Sequence, residues 1–436
     1  MITNLRTKLG AYRVFLILEG TSSFLFGLVF TIAAVYRVLM AGLNPFQLVL
    51  VGTVLEATVM IFQIPTGLLA DAFSRRLSVI LGVFLVGLAF IVEGSFPVFM
   101  LILVAQALRA LGLTFTGGAE EAWIADEMGD KNLNQLFLRG SQAGLVGTLV
   151  GTLVGGVLAS VRLNLPYLVS GVLFFALGIF LLLLMPEKNF QRSAPSEEQR
   201  NLLLPMKEAL TSSLKLIRLR PVIITILCIA AFFGMASEGF DRLWQVHFLA
   251  NFTFPHFWNL QPVVWFSAIT FTVTLVSLAS TEIIRKYAKT ENHTAIALTL
   301  FGITALLIVA IAVFGLAGNF YLALVSYLLA GSLRQTYSPI YTAWLIQNVS
   351  SKVRATVVSA GSQFDAIGQV LGGPIVGLIG TIYTLRIVML FVAGILTPSL
   401  LLFLRSIRQG KAVSVDDQSG EENVGENAVE AIGQPC

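Results

Sequence analysis

Apolar runs of about 20 residues or more, broken by short polar intervals, follow one another along the whole chain. Twelve can be bounded: 12–36, 46–69, 77–94, 97–120, 140–160, 165–185, 221–245, 262–281, 294–316, 319–346, 355–380 and 384–404. A helix rises about 1.5 Å per residue, so ~20 residues cross the roughly 30 Å of a bilayer's hydrocarbon. The pattern predicts an all-α polytopic membrane protein with twelve transmembrane helices. Several runs exceed the minimum, which predicts tilt or extension past the membrane surface. The first is too long for a cleaved leader and lacks a small-x-small cleavage pattern, so it is expected to remain as the first helix.

The polar intervals carry the orientation. Between Ile64 and Leu77 the chain reads I-P-T-G-L-L-A-D-A-F-S-R-R-L, a charged turn so short that the second and third spans must lie side by side. Alternating sides from a cytoplasmic N-terminus places 22 of the 28 Lys and Arg in cytoplasmic segments. Arg37, Arg162 and Arg386 fall outside, and Arg109, Arg242 and Arg334 fall within spans. Basic residues gather in cytoplasmic loops, so both termini are expected in the cytoplasm of a cell inner or plasma membrane.

The longest interval, 186–220, holds seven Lys and Arg and divides the chain into six-helix halves, 1–185 and 221–405. It is expected on the cytoplasmic face. The tail 406–436 is acidic and rich in Gly, Asn and Gln, and is expected to lack fixed structure. The halves repeat at an offset of 221: Ala122-Trp123 matches Ala343-Trp344, Gly140-Ser141-Gln142 matches Gly361-Ser362-Gln363, and Gly147 and Gly151 match Gly368 and Gly372. A duplicated six-helix unit is a recurrent plan of secondary transporters.

Composition narrows the chemistry. Residues are 56% hydrophobic and 12% charged, about half the charge of a soluble domain. Two cysteines and three histidines argue against a disulfide framework and a His-rich metal site. Phosphate-binding loops, HExxH and G-x-S-x-G are absent from the sequence, so neither an enzyme nor an ATP-driven pump is expected. No cofactor, metal or nucleic acid is expected. The partners anticipated are the bilayer, protons and a small-molecule substrate, handled by a monomer.

Two motifs carry a family resemblance. Gly67, Asp71, Arg75 and Arg76 follow the outline G-x-x-x-D-[RK]-x-G-x-[RK]-[RK], with Ala72 and Ser74 replacing the usual base and glycine and the gap one residue shorter. The fifth span places Gly140, Gly147, Gly151, Gly155 and Gly156 in the spacing G-x6-G-x3-G-P-x2-G-G, with Thr152 in place of proline. With the twelve-span plan, these resemble the major facilitator superfamily of secondary transporters, over nearly the whole chain before the tail. The glycine spacing looks like its drug-efflux branch, which implies proton antiport. Small residues in such a row also serve as a plain helix-packing seam.

Ionisable groups within spans are costly and mark function by default. Glu19, Glu56 and Asp365 are candidates for proton coupling, since a carboxylic acid in apolar surroundings can hold and release a proton near neutral pH, with Glu56 and Glu19 foremost and Arg109 as the charge that modulates them. The alternative for each acid is a structural pairing with Arg109 or Arg334. Glu238, Asp241 and Arg242 cluster in the seventh span, where Glu238 and Arg242 are spaced to pair. At the cytoplasmic end of the fourth span, Glu120, Glu121 and Asp126 are expected to face the Arg75-Arg76 turn as a gate, the alternative being a solvated helix end. Phe24, Phe26, Trp244, Arg334, Tyr337 and Tyr341 are candidates to line a substrate cavity. The function expected is proton-coupled export of small amphipathic or drug-like compounds by alternating access. Proton-coupled uptake of a small metabolite is the alternative, and a non-transporting sensor or membrane enzyme a remote one.

Overall fold

A computed structural model describes residues 10–129, 133–190, 221–255, 260–287, 293–347 and 354–432, with side chains omitted at 221, 283–287, 355–356 and 410–432. Residues 191–220, which hold most of the central interval, and 433–436 lie outside the described residues. The described residues form fourteen helices: α1 Ala11–Phe30, α2 Ala33–Leu39, α3 Pro45–Ala72, α4 Arg75–Ser95, α5 Phe99–Thr116, α6 Ala119–Met128, α7 Leu133–Val161, α8 Leu165–Leu184, α9 Pro221–Asn251, α10 Pro262–Tyr287, α11 His293–Leu316, α12 Phe320–Gln347, α13 Arg354–Ile382 and α14 Leu385–Ile432. The twelve expected spans are all present. The first is broken at Thr31-Ile32 into α1 and α2, and the fourth at Gly117-Gly118 into α5 and α6. Gly118 has φ +76°, a conformation that favours glycine.

Local chemistry sets the turns. Asn44 and Gln47 form a reciprocal cap ahead of Pro45, fixing the start of α3. Ser74 caps α4 by accepting from the Leu77 N–H at 3.0 Å, so α3 and α4 are joined by two residues only. The end of the bundle carrying this junction is termed the turn side below, and the end carrying Asn44 the far side.

Among the described residues, eleven stretches are long and apolar enough to cross a membrane. The span that falls short is α12, where Arg334, Gln335 and Thr336 interrupt the apolar sequence. Its polar positions face a cavity, described below, which explains the deficit.

The two halves are built alike. In the first, α7 lies along α1; in the second, α13 lies along α9. Both contacts need glycine. A Cβ at Gly147 or Gly151 would overlap the carbonyls of Gly20 and Phe24, and a Cβ at Gly368 or Gly372 would overlap Ala231 or Met235. The matched tryptophans are also equivalent: Trp123 donates to the Pro186 carbonyl at 2.6 Å and Trp344 to His293 Nδ1 at 3.1 Å, both fully buried. The halves meet where α3 packs on α13 and α7 on α10.

One expectation is corrected. Arg37, placed in an outer loop by the charge count, is 3% exposed and sits within α2 against Glu93. The backbone of α14 is helical through Ile432, beyond the membrane span.

Candidate functional site

A cavity of about 820 Å³ lies between the halves. The first half contributes Glu56, Val59, Met60 and Gln63, all on α3. Their spacing of three and four residues puts them on one helix face. The second half supplies the rest from α9, α10, α12 and α13, including Glu238, Asp241, Arg242, Arg334, Tyr337, Tyr341, Asp365 and Gln369. The lining extends to Gln63, Leu345 and Val358, towards the turn side.

The far side is shut by close backbone approach. Glu238 and Arg242 of α9 lie directly on Gly52 of α3, where any Cβ would overlap both side chains. A Cβ added at Gly373 of α13 would come within 2.5 Å of Thr53 Oγ1, and the Phe46 N–H donates to Thr381 Oγ1 at 3.2 Å. Gln245 Nε2 of α9 donates to the Thr31 carbonyl at 2.6 Å, at the break between α1 and α2. On the other interface Gln261 Nε2 donates to the Ser160 carbonyl at 3.2 Å.

Charges in the cavity are unequally matched. Arg242 Nε meets Glu238 Oε1 at 3.0 Å, the i,i+4 pair expected from the sequence. Arg334 grips Asp241 through both terminal nitrogens, Nη2 to Oδ2 at 2.7 Å, and lies 5.2 Å above the Phe240 ring. This second pair joins α12 to α9. Asp365 accepts a bond from Gln369 Nε2 at 2.7 Å. Glu56 has no hydrogen bond or ion pair among the described residues.

The aromatic walls are ordered. Phe233 and Tyr337 stack with ring centres 3.8 Å apart and planes 10° apart, and Tyr337 stacks on Tyr341 at 5.6 Å. Tyr341 donates its hydroxyl to the Ile226 carbonyl at 3.1 Å. The Tyr337 hydroxyl is buried with no hydrogen-bond partner among the described residues.

Of the expected lining residues, Arg334, Tyr337 and Tyr341 are in place and three are not. Phe26 stacks on Phe30 at 5.2 Å and meets Phe90 and Phe174 edge-on, inside the first half. Phe24 packs its backbone against Gly151. Trp244 stacks on Tyr327 at 4.2 Å, behind the cavity wall. Of the acids and bases singled out for proton coupling, Glu56 and Asp365 line the cavity, while Glu19 and Arg109 do not. Glu19 lies within electrostatic reach of Glu120 and Glu121 near the turn side. Arg109 is 4% exposed and stands 5.3 Å over the Phe30 ring.

At the turn, Arg75 binds Asp126 at 2.5 Å and Asp71 at 3.0 Å and donates to the Ala122 carbonyl at 3.1 Å. Arg76 instead reaches the Leu182 carbonyl at 2.6 Å, and its N–H donates to Glu187, which also accepts from Ser74. The expected gate thus gathers Asp71, Arg75 and Asp126. Glu120 and Glu121 face Glu19 instead, because Gly118 reorients α6 after α5. Gly67 has open space around its Cα. The glycines of α7 form a packing seam: Gly140 on the Phe15 ring, Gly147, Gly151 and Gly155 on the α1 backbone, and Gly156 on Ser267 of α10.

One buried network was not anticipated. Glu93, 1% exposed, accepts from Arg37 Nε at 2.8 Å, Tyr167 OH at 2.9 Å and Gln106 Nε2 at 2.6 Å, and its carbonyl accepts from Tyr36 OH at 2.5 Å. It lies three residues before Phe96, where the sequence reads as the end of a span. The available signal was an acid and a base, Glu93 and Arg37, at the same depth on the far side.

The family model described as Major Facilitator Superfamily matches residues 15–360. A Bacillus subtilis (strain 168) protein described as an uncharacterized MFS-type transporter, YxaM, is 24% identical over 358 residues, covering 82% of this chain and 86% of its own. Solved structures are similar in fold. The nucleoside transporter NupG has a TM-score of 0.70 at 15% identity, covering 92% of this chain and 99% of its own. A bacterial homolog of the human lysosomal transporter Spinster, inward-facing and unoccupied, scores 0.72 at 15% identity, with 94% and 98% covered. The peptide transporter POT in complex with sulfate scores 0.73 at 14% identity, with 94% and 99% covered.

Proposed function

The chain belongs to the Major Facilitator Superfamily, and on that scaffold we propose that it is a proton-coupled secondary transporter exporting small amphipathic, drug-like compounds by alternating access. The observation that carries the proposal is Glu56: a carboxylate in the cavity with no partner among the described residues, on the one helix of the first half that reaches the site. An ionisable side chain within a membrane span that faces the central cavity without an ion-pair partner is positioned to take up and release a proton as the cavity changes sides. Asp365, whose one hydrogen bond among the described residues comes from Gln369, is a second group of this kind.

The bias of Lys and Arg assigns the turn side to the cytoplasm. The cavity then faces inward, ready to load substrate from the cytoplasm or the inner leaflet. Closure of the turn side and opening of the far side would deliver it outward, the halves moving as units about α3–α13 and α7–α10. Arg75 with Asp71 and Asp126 is suited to a reversible tie on the cytoplasmic face, because partly exposed pairs contribute only about 0–1 kcal/mol each.

The test is transport in proteoliposomes with an imposed pH gradient. Export by antiport requires substrate to move against the direction of proton flow; proton-driven uptake, the competing reading, requires the two to move together. In the proposed scheme Glu56→Gln abolishes gradient-driven transport. Transport that stays proton-driven in this variant removes Glu56 from the coupling role.

A further inference from the structure

The cavity has four carboxylates and two guanidinium groups, and its excess negative charge is local. Arg242 is matched by Glu238 and Arg334 by Asp241. Among the described residues no ion pair joins a cation to Glu56 or Asp365, which come from opposite halves; Arg242 and Arg334 lie within electrostatic reach of them but are engaged by Glu238 and Asp241.

Helix packing places these two acids. On antiparallel α3 and α13, Gly373 faces Thr53 and Gln363 Nε2 donates to Gln63 Oε1 at 3.2 Å. Glu56 is then level with Gln369 and Val370. Asp365 lies one turn nearer the turn side, about 6–7 Å along the axis at ~1.5 Å per residue.

Beside Asp365 stand the stacked rings of Phe233, Tyr337 and Tyr341. Tyr337 is 6% exposed and lines the cavity within electrostatic reach of Asp365. Aromatic faces attract cations, more strongly where water is excluded.

We infer that the cavity binds a monovalent organic cation with an aromatic or bulky apolar body, its charge between Glu56 and Asp365 and its body against Phe233, Tyr337 and Tyr341. This rests on reading the cavity as the transport site. A cation seated there bridges the two halves, since one carboxylate belongs to each.

The experiment measures binding at equilibrium, without a gradient, to the full-length chain in lipid nanodiscs. The probes are tetraphenylphosphonium and tetraphenylborate, near-identical in shape and opposite in charge, each corrected for empty nanodiscs. The wild-type chain is expected to bind the phosphonium at least ten-fold more tightly than the borate. Asp365→Asn and Glu56→Gln should each weaken the phosphonium at least five-fold and leave the borate no weaker, while Asp365→Glu keeps most of the affinity. Equal affinities, a preference for the borate, or a phosphonium affinity unmoved by both neutral variants overturns the inference. The wild-type preference stands as a test even where a variant fails to fold. Phosphonium binding without pH-driven transport retracts the coupling scheme and leaves the cation site standing. Proton-driven transport confined to neutral or anionic compounds retracts the cation site and leaves the transporter reading standing.

Discussion

Replacing Glu93 by leucine should destabilise the first half severely, and the structure gives the size of the effect. The carboxylate is 1% exposed and receives three side-chain donors, from Arg37, Gln106 and Tyr167. Removing it leaves the Arg37 guanidinium, 3% exposed, buried without a counter-charge. Arg109 lies within electrostatic reach of both, so the loss also leaves two cations facing each other. Breaking a buried pair from one side costs about 3–5 kcal/mol, and orphaned neutral donors add about 1 kcal/mol or more each. An expected loss of ~6 kcal/mol corresponds to a midpoint lowered by roughly 15 °C for a unit near 185 residues. Replacing the pair together, Arg37→Met with Glu93→Leu, should recover most of this, because an apolar pair of similar volume avoids desolvating two ions. The assay is heating in detergent followed by size-exclusion chromatography of each variant and the double variant. A midpoint for Glu93→Leu within 2 °C of wild type, or a double variant less stable than Glu93→Leu alone, refutes the reasoning.

Three further outcomes follow from the surroundings of individual glycines. Gly52→Leu should push Glu238 and Arg242 off α3 and part the halves on the far side. Spin labels at exposed Phe96 and Tyr383, with Cys228 and Cys436 replaced by serine, should then show a longer distance, and an unchanged distribution contradicts the closure described. Gly368→Val, which drives a side chain into the Ala231 carbonyl, should cost about 1–3 kcal/mol or more, as overpacking does. Gly302→Ala, with nothing within 4 Å, should instead stabilise α11 by about 0.5–1 kcal/mol, and the pair is compared by thermal midpoint.

The number and length of the membrane helices were legible because bilayer thickness imposes them on the sequence. The Ser74 turn and the duplicated glycines were legible for similar reasons: a charged two-residue junction and a backbone contact each tolerate few residues. Helix rotation was not. A soluble helix announces its buried face through an apolar stripe, whereas a span such as α8 is apolar all round and leaves its rotation unmarked. Hence Phe24, Phe26 and Trp244 were plausible as lining but pack elsewhere, while Tyr337 and Tyr341 reach the cavity. Long-range pairs were equally hidden. Asp241 with Arg334 and Arg37 with Glu93 are separated by 93 and 56 residues, and only assembly brings them together.

The polar interruption in α12 bears on how the chain is made. An arginine near the middle of a helix opposes entry into lipid by about 2.5–3.5 kcal/mol on insertion scales, and α12 adds Gln335 and Thr336 beside it. Left alone at the translocation channel, such a segment partitions poorly. Its counter-ion Asp241 is on α9, which has been synthesised already when α12 emerges. Retention of α9 near the channel would turn an unfavourable solo step into a joint one. Biogenesis of the second half would then depend on the ion pair that shapes the cavity, and losing Asp241 would be felt first as a failure of membrane integration.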